Sequence, residues 1–350
     1  MKQWLETRQV LERLAELGRA GTLAALATVI RVRGSAYRHE GAKLLVAADG
    51  SVTGNVSGGC LEQDVREVAH LVIRSGTAQL RSYCSGTDEI AAWDLGVGCE
   101  GQVDVLVEPA FEPRLRERQL LDGREPFAVA TFVGRREAGG GTRVIVTGSA
   151  GEGDVACRAR ELIREGRSAL EDVNGRPVFM DVFVPPPELI LCGAGDDARA
   201  LVRCATEVGF RVTVVDRRPA YLAPERFPAA ARLLHSDAAQ LGERLPLDEA
   251  CYAVVMTHNF ADDRAYAQAL LATPVSYVGM LGPRQRTERI LRDVPTAQGG
   301  RVYGPVGLDI GTDGAEQVAL SVVAEILAVR SGRRARSLRE RGAPIHARDD

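Results

Sequence analysis

The chain is 350 residues long, 45% hydrophobic and 26% charged, with a formal net charge of −3. That length allows two domains with real cores, and the charge offers no basic face for reading nucleic acid. Lys2 and Lys43 are the only lysines, which excludes lysine-based catalysis past residue 43, and no apolar run approaches the roughly 20 residues of a membrane-spanning helix.

The opening "MKQWLETRQVLERLAELG" predicts an amphipathic helix. It lacks the apolar run of a signal peptide, so a cytoplasmic protein is expected. "TLAALATVIRV" (22–32) predicts a strand, and "RGSAYRHEGAK" a loop. "KLLVAADGSVTGNV" predicts a hairpin around Asp49-Gly50, a favoured tight-turn pair. The next helix spans 61–74, because Leu61, Val65, Val68 and Val72 form one apolar stripe. "QLRSYC" and "GQVDVLVEP" predict strands on either side of the glycine-rich "DLGVGCEG". Residues 111–125 are a linker or a surface helix. Strands "FAVATFVG" and "RVIVTG", a helix near 155–165 and the strand "GRPVFMDVFV" follow. Three prolines at 185–187 then break the chain.

Beyond the break, strands and helices alternate, which predicts a doubly wound parallel sheet. The expected fold is α/β: an N-terminal mixed α/β domain over 1–185, then a Rossmann-like domain over 188–332. A final helix runs from about 315 to 330. The basic tail 333–350 lacks a packing stripe and is expected to be disordered.

Two glycine turns carry the candidate chemistry. In "VSGGCLEQDV", Cys60 stands at the mouth of the 61–74 helix, behind Ser57, Gly58 and Gly59. A helix N-terminus favours a thiolate, hence a nucleophile or a soft-metal ligand. Glycines let a bulky or anionic ligand approach the backbone. A small buried cysteine is the equal alternative. The seven cysteines are odd in number and widely spaced, which suggests neither a disulfide framework nor a zinc ribbon.

The second turn is "CGAGDDA", with Gly193, Gly195 and Ala198 in a G-x-G-x-x-A pattern between a strand and a helix. Asp216 ends the next strand about twenty residues on, as a dinucleotide site requires for its ribose. Asp196 and Asp197 put negative charge where a pyrophosphate would lie, so NAD(P), another nucleotide or no ligand at all remain open. His258 closes the strand "AVVMTH" at the ligand-binding edge of such a sheet, with Asp262 and Asp263 following. These residues form either an acid–base or hard-metal group, or plain caps. Asp309, in the glycine-rich "GPVGLDIGTDGAEQ", is a candidate for the far wall of the same cleft.

The blocks "RGSAYRHEGAKLLV", "GNVSGGCLEQDV", "GVGCEGQVDVLVEP", "LILCGAGDDARAL", "VVMTHNFADDRAYAQALL" and "GPVGLDIGTDGAEQVALSVVAEILA" occur in that order. Together they resemble the XdhC/CoxI family, maturation factors for xanthine dehydrogenase and related molybdenum hydroxylases. The resemblance implies a protein that binds molybdenum cofactor and holds it while a cysteine desulfurase supports sulfuration. The cofactor then passes to the apo-dehydrogenase. It implies a homodimer, and an accessory factor without turnover of its own. Cys60 matches the family's S-G-G-C cysteine, implied to contact the cofactor metal, and Cys99 matches its second cysteine block. The chain departs from the family twice: Glu100 replaces a glycine after Cys99, and Asp196-Asp197 replace a common His-Val. A nicotinamide-dependent oxidoreductase and a metal-dependent nucleotidyl enzyme using Asp262, Asp263 and Asp309 are the alternatives.

Overall fold

A computed structural model describes residues 2–34, 36–84, 101–110, 114–134, 143–148, 151–292, 294 and 299–342. The chain divides into two compact units, Met1–Pro185 and Pro186–Ala343. The division falls in the proline run, which can enter neither helix nor central strand.

The first unit opens with α1 (Lys2–Arg19), β1 (Ala24–Gly34), β2 (Lys43–Ala47), β3 (Val52–Gly54), α2 (Glu62–Ser75), β4 (Gln79–Cys84) and β5 (Gly101–Pro109). These strands form an antiparallel sheet in the order β3-β2-β1-β5-β4. β1 begins as an unbroken apolar run because both its faces are covered. Ala25, Ala27 and Val29 pack with Val65, Val68, Ala69 and Val72 of α2. Ala24 and Leu26 pack with Leu11, Leu14 and Phe127 on the other side. Burying each valine of α2 is worth about 1.5–3 kcal/mol, which seats the helix that follows the Gly-Gly-Cys turn. A register shift between Val29 and Arg31 re-aims the strand. Arg31 then donates to the buried Asp104 at 2.6 Å.

The unit continues with α3 (Leu115–Asp122), β6 (Phe127–Phe132), β7 (Arg143–Thr147), α4 (Asp154–Glu165), β8 (Ala169–Val173) and β9 (Arg176–Phe183). A second antiparallel sheet runs β7-β6-β9-β8. The segment 111–125, open between linker and surface helix in the sequence, thus contains a helix. β8 is an addition to the elements expected from sequence. Lys43, one of the two lysines, is buried in an ion pair with Asp181 of β9, which also accepts from Gln3 of α1 at 2.8 Å. Burial pushes the Asp181 carboxyl above its usual range despite that pairing. The pair ties α1, β2 and β9 together.

The second unit holds β10 (Glu188–Cys192), α5 (Asp196–Glu207), β11 (Arg211–Asp216), β12 (Arg232–His235), α6 (Leu241–Arg244), β13 (Cys251–Val255), α7 (Phe260–Leu271), β14 (Tyr277–Met280), α8 (Arg284–Leu291), β15 (Val302–Tyr303) and α9 (Gly314–Ser331). Its six strands are all parallel, in the order β12-β11-β10-β13-β14-β15. This is the Rossmann order, with its switch point between β10 and β13, where ligands of such sheets bind. β12 escapes a reading of the sequence because four residues on a sheet edge carry little periodic signal. After α9, a short 3-10 turn at Leu338–Glu340 follows. Among the described residues no helix is long and apolar enough to cross a membrane.

Candidate functional site

The first turn is built by Ser57 and Glu62. Ser57 is 7% exposed. Its hydroxyl donates to the Glu62 carboxylate and accepts from the N–H groups of Gly59 at 3.0 Å and Leu61 at 3.1 Å. The other Glu62 oxygen accepts from the N–H of Ser57 at 2.8 Å. The arrangement works like a stretched capping box, satisfying several N–H groups ahead of α2. Burial raises the Glu62 carboxyl, but the bonds from Ser57 and the backbone outweigh it and hold it below the usual range. The hydroxyl and N–H of Ser57 are therefore spent on shaping the turn.

That brace leaves the glycines and Cys60 at the surface. Gly59 has φ +121, a conformation L side chains rarely adopt, and a Cβ there would meet nothing within 4 Å. The space in front of the turn is open. A Cβ at Gly58 would lie 3.4–3.8 Å from the ring of Tyr37. Cys60 is a free thiol, partly exposed, at the edge of the apolar cluster between β1 and α2. It precedes α2, which begins at Glu62 with no side-chain cap at Leu61. The hydroxyl of Tyr83 donates to Asp64, so the end of β4 meets the first turn of α2. Cys84 is exposed there. Cys99 lies outside the described residues. Among the described residues no group of three or more His, Cys, Asp or Glu side chains could hold a metal ion. Among the described residues Cys60 therefore offers one soft ligand and no cage, which suits a metal that brings its own ligands.

The second turn is arranged differently. Gly193 has φ +123, and a Cβ there would meet the carbonyl oxygen of Met256 at 2.5 Å. Its role is close packing of β10 against the end of β13. Gly195 is under no such pressure, since its nearest neighbours to a Cβ stand at 3.6 Å or more. Asp216 is 2% exposed. It accepts from the Ala194 N–H at 2.9 Å, from the Arg218 N–H at 2.8 Å, and from the Arg218 guanidinium through both oxygens at 2.9 Å each. Burial pushes its carboxyl up, but these bonds outweigh it and hold it low. The acceptor expected for a ribose is thus engaged by its own chain. Arg218 in turn lies 3.9 Å from the Tyr221 ring.

The first-turn aspartates of α5 are paired as well. Asp196 meets Arg226 at 3.1 Å, and Arg226 also donates to the Ala194 carbonyl at 3.0 Å. Asp197 meets His258 Nε2 at 3.0 Å. His258 holds φ +61, uncommon for a residue with a side chain. Sequence proximity suggested Asp262 and Asp263 as its partners, but the structure gives it Asp197. Asp262 instead pairs with Arg217 at 2.8 Å. Asp263 is buried, accepts from the Thr257 hydroxyl at 2.6 Å and pairs with Arg286 at 2.6 Å. Asp263 thus braces the end of β13 and α8 against the start of α7. Asp309 is exposed ahead of α9, and among the described residues no hydrogen bond or ion pair joins it to this turn. The fold thus brings Gly193, Gly195, Asp216 and His258 to one sheet edge, together with Asp197, Arg218 and Arg226, whose pairing the sequence did not reveal.

Comparison with known proteins agrees with this two-part architecture. Residues 17–84 match the XdhC and CoxI family, and residues 189–326 match the XdhC Rossmann domain. The chain is 32% identical to a Bacillus subtilis protein named as a probable xanthine dehydrogenase component, over 88% of this chain and 93% of that one. It is 24% identical to the molybdenum cofactor insertion chaperone PaoD of Escherichia coli, covering 92% of this chain and 88% of that one. A crystal structure described as a xanthine dehydrogenase from Bacillus halodurans superposes with a TM-score of 0.75 at 30% identity, covering 93% of this chain and 96% of that one. With both parts of the chain matched and 32% identity over most of its length, the chain belongs to the XdhC/CoxI family.

Proposed function

We propose that the protein binds molybdenum cofactor as cargo at the Gly-Gly-Cys turn and delivers it to a xanthine dehydrogenase-type apo-enzyme. The observation that carries the reading is Cys60: a partly exposed thiol on a braced, open turn, with no metal cage around it among the described residues. A resident metal needs several protein ligands, whereas a metal already held by a dithiolene needs only one more soft donor. The names of the Bacillus subtilis and Escherichia coli relatives point the same way. Support of sulfuration, a cysteine desulfurase partner, a homodimer and a cytoplasmic setting belong to the same reading and rest on the family resemblance. Cys99 is proposed as a second cofactor contact on the same ground.

In this reading the Rossmann unit binds no NAD(P) under ordinary conditions, because Asp216, Asp196 and Asp197 are paired internally. The test is Cys60→Ser purified from a molybdate-replete host. The variant is expected to melt like the wild type and to retain far less molybdenum. Unchanged molybdenum content would refute the assignment of Cys60.

A further inference from the structure

An exposed aromatic ring stands over the Gly-Gly-Cys turn, and the fold has no evident packing use for it. Tyr37 is 70% exposed. One face of its ring lies against Gly58, the ring atoms 3.4–3.8 Å from where a Cβ would stand. The loop that carries it is anchored just after the ring. Arg38 pairs with Glu6 of α1 through both guanidinium nitrogens. Glu40 accepts from the Val32 N–H at 2.9 Å, and the Gly41 N–H donates to the Val29 carbonyl at 2.8 Å. The chain that follows the ring is therefore fixed, while the ring itself stays largely exposed beside Gly58. Beyond Gly58, the space at Gly59 is open and Cys60 follows.

A flat, electron-rich ring presented beside an open glycine turn is a stacking platform for a planar heterocycle. We infer that Tyr37 stacks directly on the pterin of the cargo, while Cys60 addresses its metal. The inference rests on the cofactor reading above. It divides the cargo between two side chains: the aromatic ring recognises the organic part, and the thiol recognises the metal.

The division makes the two ideas separable by experiment. Binding of metal-free molybdopterin and of metal-bearing molybdenum cofactor is measured anaerobically on the wild type and on the Tyr37→Ala, Tyr37→Phe and Cys60→Ser variants of the full chain. Tyr37→Ala is expected to weaken both forms by roughly three- to tenfold, and Tyr37→Phe to leave both unchanged. Cys60→Ser is expected to weaken only the metal-bearing form. Thermal melting of all variants should match the wild type, since Tyr37 buries little. Full affinity of Tyr37→Ala for metal-free molybdopterin would overturn the stacking role, whatever Cys60 does. Loss of the metal-bearing form alone in Tyr37→Ala would overturn it too, because the ring would then act only through the cysteine turn. If Cys60→Ser binds the metal-bearing form normally while Tyr37→Ala weakens both, the stacking role stands and the metal contact falls.

Discussion

The two glycine turns of this chain look alike in sequence and are built in opposite ways. Each follows a strand and leads into a helix. At the first, Ser57 and Glu62 satisfy the local N–H groups among themselves, and the residues left at the surface are Gly58, Gly59 and Cys60. At the second, the local charges pair with one another. Asp216 is taken by Ala194 and Arg218, Asp196 by Arg226 and Asp197 by His258. A glycine pattern therefore reports backbone shape, and whether a ligand fits is decided by which polar groups remain unspent.

The largest effect that separates the turns is steric. Gly193→Val forces a Cβ to 2.5 Å from the Met256 carbonyl oxygen at a φ of +123. It should destabilise the protein by about 3 kcal/mol or more, read by chemical denaturation. Gly195→Ala, a few residues away, has φ in the ordinary range and no crowding, and should cost less than about 0.5–1 kcal/mol. Equal costs would mean that the packing of β10 against the end of β13 is not what Gly193 serves.

The next comparison is electrostatic. Isothermal titration with NADH should show no micromolar binding to the wild type, since two carboxylates at the start of α5 repel a pyrophosphate. Replacing Asp196 and Asp197 by Asn together should tighten binding several-fold. Tight binding by the wild type would mean that Asp196 and Asp197 do not keep a pyrophosphate away from the start of α5.

A smaller effect concerns acid. The Asp216 carboxyl is held below its usual range in the folded protein. Its contribution is therefore complete above the unfolded value of about 3.9 and is lost as pH falls through the folded value. The stability gap between the wild type and Asp216→Asn should be widest near neutral pH and narrow only below about pH 4. A gap independent of pH down to acid unfolding would show that the ionised carboxylate is not what Arg218 and Ala194 read.

Much of the architecture was legible because its signals are local. The stripe Leu61, Val65, Val68 and Val72 marks α2, and the glycine turn with its alternating elements marks the Rossmann unit. β8 was not legible, since "ALEDV" is half polar, although Asn174-Gly175, both at positive φ, forms the tight turn that joins it to β9. That Asn-Gly pair was the available signal. At the site, residue types were legible and pairings were not. Nothing local says that His258 meets Asp197 rather than Asp262, because the partner sits across the switch point on another element. Likewise the spacing from Ser57 to Glu62 is longer than a capping box, so the brace is visible only once the turn is folded.

The central claim is that the open turn, through Cys60, holds the cofactor metal. Molybdenum K-edge X-ray absorption on cofactor-loaded wild type and Cys60→Ser tests it most directly. The account predicts one molybdenum–sulfur contribution in the wild type that is missing from the variant. Identical sulfur coordination in the two samples would contradict it.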